Sequence, residues 1–282
     1  MKIGIVQSAP YLGDVRKNLE SHLEAVEKAS AEKIDLLVFP ELSLTGYTLC
    51  DLTQEIAMRP DNNPVFKKLL RESGRMDLVF GFVEEKERGL FYNSAAYLRK
   101  GQVRHIHRKV YLPTYGMFEE GKFFTEGRNF DVFPADVFQT GMMICYDFLQ
   151  FGACYLLFAG GAELIICLSA APGRGYAPEN KFGSSDMWEL MGAALSRFTT
   201  SYVIYCNRVG FEDGKAFAGG SFVYGPTGSQ ICCARYGEED YISAEIHPDA
   251  LRDARCKRLY KRDDRPEIIQ AALQRLIQKH ED

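Results

Sequence analysis

Eight cysteines are present, yet no C-x-x-C pair and no Cys/His spacing of the zinc type occurs. That removes a structural zinc module and a dithiol redox motif from consideration. The cysteines sit at 50, 145, 154, 167, 206, 232, 233 and 256, several inside apolar runs such as MMICYD, LIICLS and VIYCN. A free Cys in such a run behaves as a small hydrophobe, so reduced thiols are expected. An excess of charge of one sign is missing too: 34 Lys and Arg against 38 Asp and Glu leave a net charge of −4, and no global field draws the chain to a nucleic acid. The most basic stretch, 252–265, is interrupted by Asp253, Asp263 and Asp264 and reads as a solvated segment. Long hydrophobic runs are absent. The longest weakly polar stretch, 151–162, is too short to span a bilayer, and MKIGIVQSAP lacks the layout of a signal peptide; no membrane partner and a cytoplasmic location are expected. No repeat, low-complexity tract or Gly/Ser/Pro linker divides the chain. One domain over 1–258 with a C-terminal extension over 259–282 is the organisation this implies.

What is present is a mixed pattern of apolar runs. KIGIVQ, a helical stretch over 14–32 with Leu19, Leu23, Val26 and Ala29 on one face, and DLLVF read as a βαβ unit. Asn62, Asn63 and Pro64 supply cap and first-turn residues for a helix carrying Phe66, Leu69 and Leu70. LFYNSAAYL and QVRHIH alternate around a break at Arg99, Lys100 and Gly101, the pattern of an antiparallel hairpin or meander. GMMICYD, ELIICLS and SYVIYCN read as buried strands, separated by a helix over 149–159 and a second one capped by Asp186 that carries Trp188, Met191, Leu195 and Phe198. Short strands near GGSFVYG, QICCA and DYISAEI complete the body. Apolar positions on helices and on both faces of several strands are buried together by an α/β, four-layer α-β-β-α sandwich. In the extension, Ile268, Ile269, Ala272, Leu273, Leu276 and Ile277 form a stripe whose expected partner is another subunit.

Three chemically capable residues stand where apolar strands end: Glu41 after LLVFP, Lys109 after RHIHR and Cys145 near the end of MMIC. Strand ends are where α/β sheets collect ligands. Taken singly, each has a plainer reading. Cys145 resembles any buried structural cysteine and spacing does not separate it from Cys167 or Cys206; Glu41 reads as a surface or capping carboxylate, Lys109 as a solvated cation. Taken together they suffice for acyl transfer, with a carboxylate base, a cation for thiolate and oxyanion, and a thiol nucleophile. GMFEEGKF, residues 116–123, nearly satisfies the P-loop pattern, but Phe123 replaces the Mg-binding hydroxyl and Glu119 and Glu120 repel phosphate. His105 and His107 share a strand face without a third metal ligand, so core or surface histidines are the reading preferred there. Trp188, the only tryptophan, reads as helix-core packing.

The segments VFPELSLTGY, HRKVYLPTYGMFEEGKFF and MMICYD, in that order, resemble the nitrilase superfamily of carbon-nitrogen hydrolases, and similarity continues through LIICLSAAP, YCNRVG and FAGGSFVYGPTGSQI. The resemblance implies an α-β-β-α sandwich that pairs into a homodimer, often through C-terminal tails. It assigns Glu41 as general base, Lys109 as oxyanion-stabilising cation, Cys145 as thioester-forming nucleophile, and Glu120, rather than Glu119, as the second glutamate that orients Lys109. It places Tyr47, Tyr115, Tyr146 and Ala170 beside a small amide substrate, with the N–H of Tyr146 in the oxyanion hole, and it implies no metal or organic cofactor. The pattern is closest to the branch that includes glutaminase domains of glutamine-dependent NAD synthetases, and a free-standing amide hydrolase is the expected form. One departure bears on substrate. Related amidases carry an arginine four residues after the nucleophile; Leu149 stands there, which counts against short dicarboxylate-like monoamides. Arg174, in PGRGYAPEN, either contacts a polar substrate or caps a loop. Nitrile hydrolysis, carbamoyl-amide hydrolysis, acyl transfer and a non-catalytic scaffold are the alternatives on the same residues.

Overall fold

The computed structural model describes residues 1–175 and 182–281; most of PGRGYAPEN therefore lies outside the described residues, whereas Arg174 lies within them. Strands β1 Lys2–Gln7, β2 Leu36–Val38, β3 Asp77–Glu87, β4 Leu90–Arg99 and β5 Gln102–Arg108 build the first sheet. β6 Val132–Ala135, β7 Phe138–Ile144, β8 Leu164–Ser169 and β9 Tyr202–Asn207 build the second, β10 Val209–Glu212 and β11 Lys215–Ala218 form a separate ribbon, β12 Phe222–Tyr224 and β13 Gln230–Cys233 extend the second sheet, and β14 Asp240–Glu245 returns to the first. The orders are β14-β1-β2-β3-β4-β5 and β13-β12-β9-β8-β7-β6. Each sheet is parallel at its centre, through β1-β2-β3 and β7-β8-β9, and antiparallel towards its edges. The mixed character expected from the run order is thus present.

Helices α1 Val15–Ala31, α2 Thr53–Ile56 and α3 Pro64–Glu72 precede or flank the first sheet. α1 is capped by the Asp14 side chain on Lys17 N and α3 by Asn63 on Val65 N with Pro64 in the first turn, each as the sequence indicated. Phe66, Leu69, Val26 and Ala29 from these helices pack on Leu37, Leu78, Phe80 and Leu98, the outward face of the first sheet. The opposite face, with Ile3, Ile5, Val38, Val79 and Tyr97, joins one core with the second sheet. Contact between the sheets is direct: Cys206 Sγ lies 3.5 Å from Val6 O and 3.6 Å from Val38 O. The short α4 Glu120–Phe123 follows β5, and α5 Phe151–Ala159 and α6 Gly183–Thr199 cover the second sheet, with Trp188 stacked on Tyr205 at 5.2 Å. The result is helix, sheet, sheet, helix.

Two helix starts differ from the sequence reading. The helix expected from Leu149 begins at Phe151, because residues Cys145–Leu149 form a 3₁₀ turn and Gln150 is extended at φ −100°. Asp186 lies inside the first turn of α6 instead of capping it, and Phe182 is the N-cap; an acidic residue there still meets the positive end of the helix dipole. α7 Pro248–Lys257 seals Leu251 and Ala254 against the body, and α8 Tyr260–Asp263 leads to α9 Pro266–Glu281. The predicted stripe on α9 is exposed in the single chain. Among the described residues no helix is long and apolar enough to cross a membrane.

Candidate active site

Glu41 leaves the end of β2 on a segment that crosses β3 at Gly81. A Cβ on Gly81 would lie 2.2 Å from Leu42 N and 2.8 Å from the Glu41 carbonyl carbon, so only glycine admits this crossing. Lys109 follows β5, its N–H donating to Asn93 O at 2.9 Å. Cys145 follows β7 at φ +47°, a left-handed conformation that non-glycine residues rarely hold. The chain there turns from strand to 3₁₀ helix, and the first N–H groups of such a turn, Tyr146 among them, have no partner within it.

These three segments meet at one end of both sheets. Lys109 Nζ donates to Glu41 Oε1 at 2.8 Å and to Glu120 Oε1 at 2.6 Å, and none of the three side chains is more than 4% exposed. Asn93 Nδ2 donates to Glu41 Oε1 at 2.7 Å and Ala170 N to Glu41 Oε2 at 2.7 Å. Tyr47 OH donates to Glu120 Oε1 at 2.5 Å. An ammonium has three donors; the glutamates take two and leave one for a substrate oxygen. Glu119 instead faces solvent and pairs with Lys122, which separates the two adjacent glutamates by role.

Burial and charge set the protonation of this cluster. Burial pushes the Cys145 thiol up to about 12 and the Glu41 charge adds to it, against the opposing pull of Lys109 and the Ser169 side chain. Burial likewise raises Glu120 to about 7, with Glu41 adding to the rise and Lys109 resisting it. For Lys109 burial disfavours the ammonium, yet Glu120 and Glu41 hold its pKa well above the ordinary value. The resting thiol is therefore neutral at physiological pH, and any use of it as a nucleophile needs a base to take its proton.

The pocket over Cys145 is small, about 120 Å³, with Tyr115, Phe118, Tyr146, Leu149 and Trp188 on its walls. Tyr115 and Tyr146 face one another, ring centres 5.7 Å apart. Tyr47 lies behind Glu120 and lines a second cavity of about 100 Å³ with Lys215 and Asp213. Ala170 contributes its N–H to Glu41, and Trp188 combines core packing with a place on the pocket wall.

Asp147 escaped the reading of the sequence. Fully buried, it accepts from Val110 N at 3.1 Å and Tyr111 N at 2.9 Å through Oδ1, and from Ile144 N at 3.1 Å through Oδ2, which also lies 2.9 Å from His107 Nε2. It ties the Lys109 loop to the Cys145 turn. A carboxylate inside the apolar run MMICYDFL must find partners, and that is the signal that marks it. His107 is thereby a buried partner of Asp147, and among the described residues no group of side chains is arranged to hold a metal ion. Arg208 and Glu212 were missed likewise: they pair at 2.5 Å, and Glu212 Oε1 accepts from Tyr47 N at 3.0 Å and from Thr48 N.

Residues 2–256 match the model of the carbon-nitrogen hydrolase family. The chain is 29% identical over 270 residues to the glutamine-dependent NAD(+) synthetase of Acinetobacter baylyi, an alignment covering 95% of this chain and 47% of that protein; the chain spans about half the length of that relative. It is 29% identical over 260 residues to a probable nitrilase of Schizosaccharomyces pombe, with 90% and 91% covered. In fold it is similar to the amidase of Nesterenkonia sp. AN1, at a TM-score of 0.80 and 24% identity over 96% of each chain; a variant of that amidase carries the acetamide moiety of fluoroacetamide added covalently at its active-site cysteine. With the family model covering nearly the whole chain, and a buried Glu, Lys and Cys meeting where its sheets end, this chain belongs to the carbon-nitrogen hydrolases.

Proposed function

We propose that the chain hydrolyses the carbon-nitrogen bond of a small linear amide through a thioester on Cys145. The observation that carries this reading is Lys109 bridging Glu41 and Glu120 in a buried cluster beside the Cys145 thiol. In the first half of the cycle Glu41 takes the thiol proton while Sγ bonds to the carbonyl carbon. The oxyanion meets the third N–H of Lys109 and the Tyr146 N–H. The C–N bond then breaks, the leaving nitrogen receives the proton, and ammonia or an amine departs. In the second half Glu41 takes a proton from water, hydroxide adds to the thioester, and the carboxylic acid leaves as the thiol is restored. Glu120 and Tyr47 keep Lys109 in place, and no step requires a cofactor.

Support comes from the family membership and from the covalent cysteine adduct of the Nesterenkonia amidase. We further propose that the protein works as a homodimer in a reducing cytoplasm, where its eight free thiols persist. The test is ammonia release from a panel of primary amides, glutamine and asparagine included. Cys145→Ala should lower release by roughly 10⁴-fold or more. Equal release by the variant would remove Cys145 as nucleophile, and release from nitriles alone would replace the amidase reading with a nitrilase one.

A further inference from the structure

Among the described residues lining the Cys145 pocket, Arg174 is the one that carries a standing charge. Its position is held from several sides. The guanidinium lies over the Phe118 ring, 5.6 Å from its centre. It also lies so close to Gly116 that a Cβ there would come within 3.2 Å of Nη2. Its backbone N–H donates to Ser184 Oγ at 3.0 Å and its carbonyl accepts from Ser184 N at 3.1 Å. No carboxylate among the described residues lies within ion-pair distance of the guanidinium. An arginine lying over an aromatic ring, with no carboxylate beside it among the described residues, is suited to receive a planar anion, and a carboxylate matches its fork of donors.

We propose that Arg174 binds a carboxylate at the far end of the acyl chain, so that the substrate is a short amide ending in a carboxylate. This rests on the amidase reading above and names its substrate class. The amide reaches Cys145 at the base of the pocket, the chain lies against Leu149, Phe118 and Trp188, and the carboxylate meets Arg174 at the exposed rim. Leu149 removes a cation from one wall, and Arg174 returns one from the loop after β8. The departure that counted against such substrates in the sequence becomes a relocation of the anion site. The pocket of about 120 Å³ suits a linker of only a few carbons.

The test compares three amides of equal chain length: the monoamide of glutaric acid, pentanamide and 5-aminopentanamide. The wild type should prefer the acid over pentanamide by tenfold or more in kcat/KM. Arg174→Gln should raise KM for the acid at least tenfold more than it does for pentanamide, and Arg174→Lys should recover part of the difference. Equal use of acid and pentanamide by the wild type, or equal loss on both in Arg174→Gln, overturns the carboxylate site and leaves the amidase standing. Turnover of none of the three while other amides of the wider panel still release ammonia overturns the carboxylate site alone, and silence across the whole panel overturns both.

Discussion

At the scale of single residues the protonation of Cys145 decides how the proposed chemistry begins. A thiol with an ordinary pKa of about 8.5 ionises partly at pH 8, and many catalytic cysteines are held as thiolates by a cationic neighbour. Here the adjacent cation Lys109 is neutralised by two glutamates, and burial lifts the thiol to about 12. A raised acid pKa keeps the protonated form across the pH range below it, so the thiol stays neutral from pH 6 to pH 9. The difference in 240 nm absorbance between wild type and Cys145→Ser should therefore stay flat through pH 9. A thiolate signal appearing near neutrality would show that the nucleophile is preformed and that Glu41 has no proton to take from it.

At the scale of elements the decisive feature is the crossing of the Glu41 segment over β3. Gly81→Ala places a methyl against the Leu42 amide, and since both backbones are fixed by hydrogen bonds, Leu44 N to Gly81 O among them, the segment must shift. The expected cost is about 1–3 kcal/mol of stability, with turnover falling by roughly 10²-fold through a displacement of Glu41 on the order of 1 Å. Thermal denaturation read beside kcat checks this; a variant with unchanged turnover per folded molecule would show that the crossing tolerates a side chain. Elements were the part most legible beforehand. Helices α1 and α3 announced themselves through period and caps, and the buried strands through β-branched runs. The start of α5 did not, because the 3₁₀ turn after Cys145 is set by its left-handed backbone and by Asp147, neither of which leaves a periodic trace. The residues proposed to react, Glu41, Lys109 and Cys145, were legible as a set through resemblance alone. Their scaffolding was not, since Asp147 acts on Val110 across 37 positions and Glu212 on Tyr47 across 165, and no local pattern encodes such contacts.

At the scale of the whole molecule the single chain leaves apolar surface uncovered. Phe151, Leu190 and Phe198 on α5 and α6 are 82%, 69% and 65% exposed, beside a groove of about 350 Å³, and the α9 stripe is bare as well. Tracts of this kind are uncommon on monomers, and a two-fold pair would cover both with the same surfaces of a second copy. Light scattering after size exclusion should give a dimer for the wild type and a monomer for Phe151→Glu with Phe198→Glu; a monomeric wild type at micromolar concentration overturns the assembly. The placement of the cluster has a different consequence. Glu41 and Lys109 ride on the first sheet, Cys145 and Ala170 on the second, and the 2.7 Å bond from Ala170 to Glu41 joins the two. The proposed catalytic centre would thus work as a vernier between two rulers: a slip of one sheet against the other, too slight to register as lost secondary structure, would be read out at once as lost turnover.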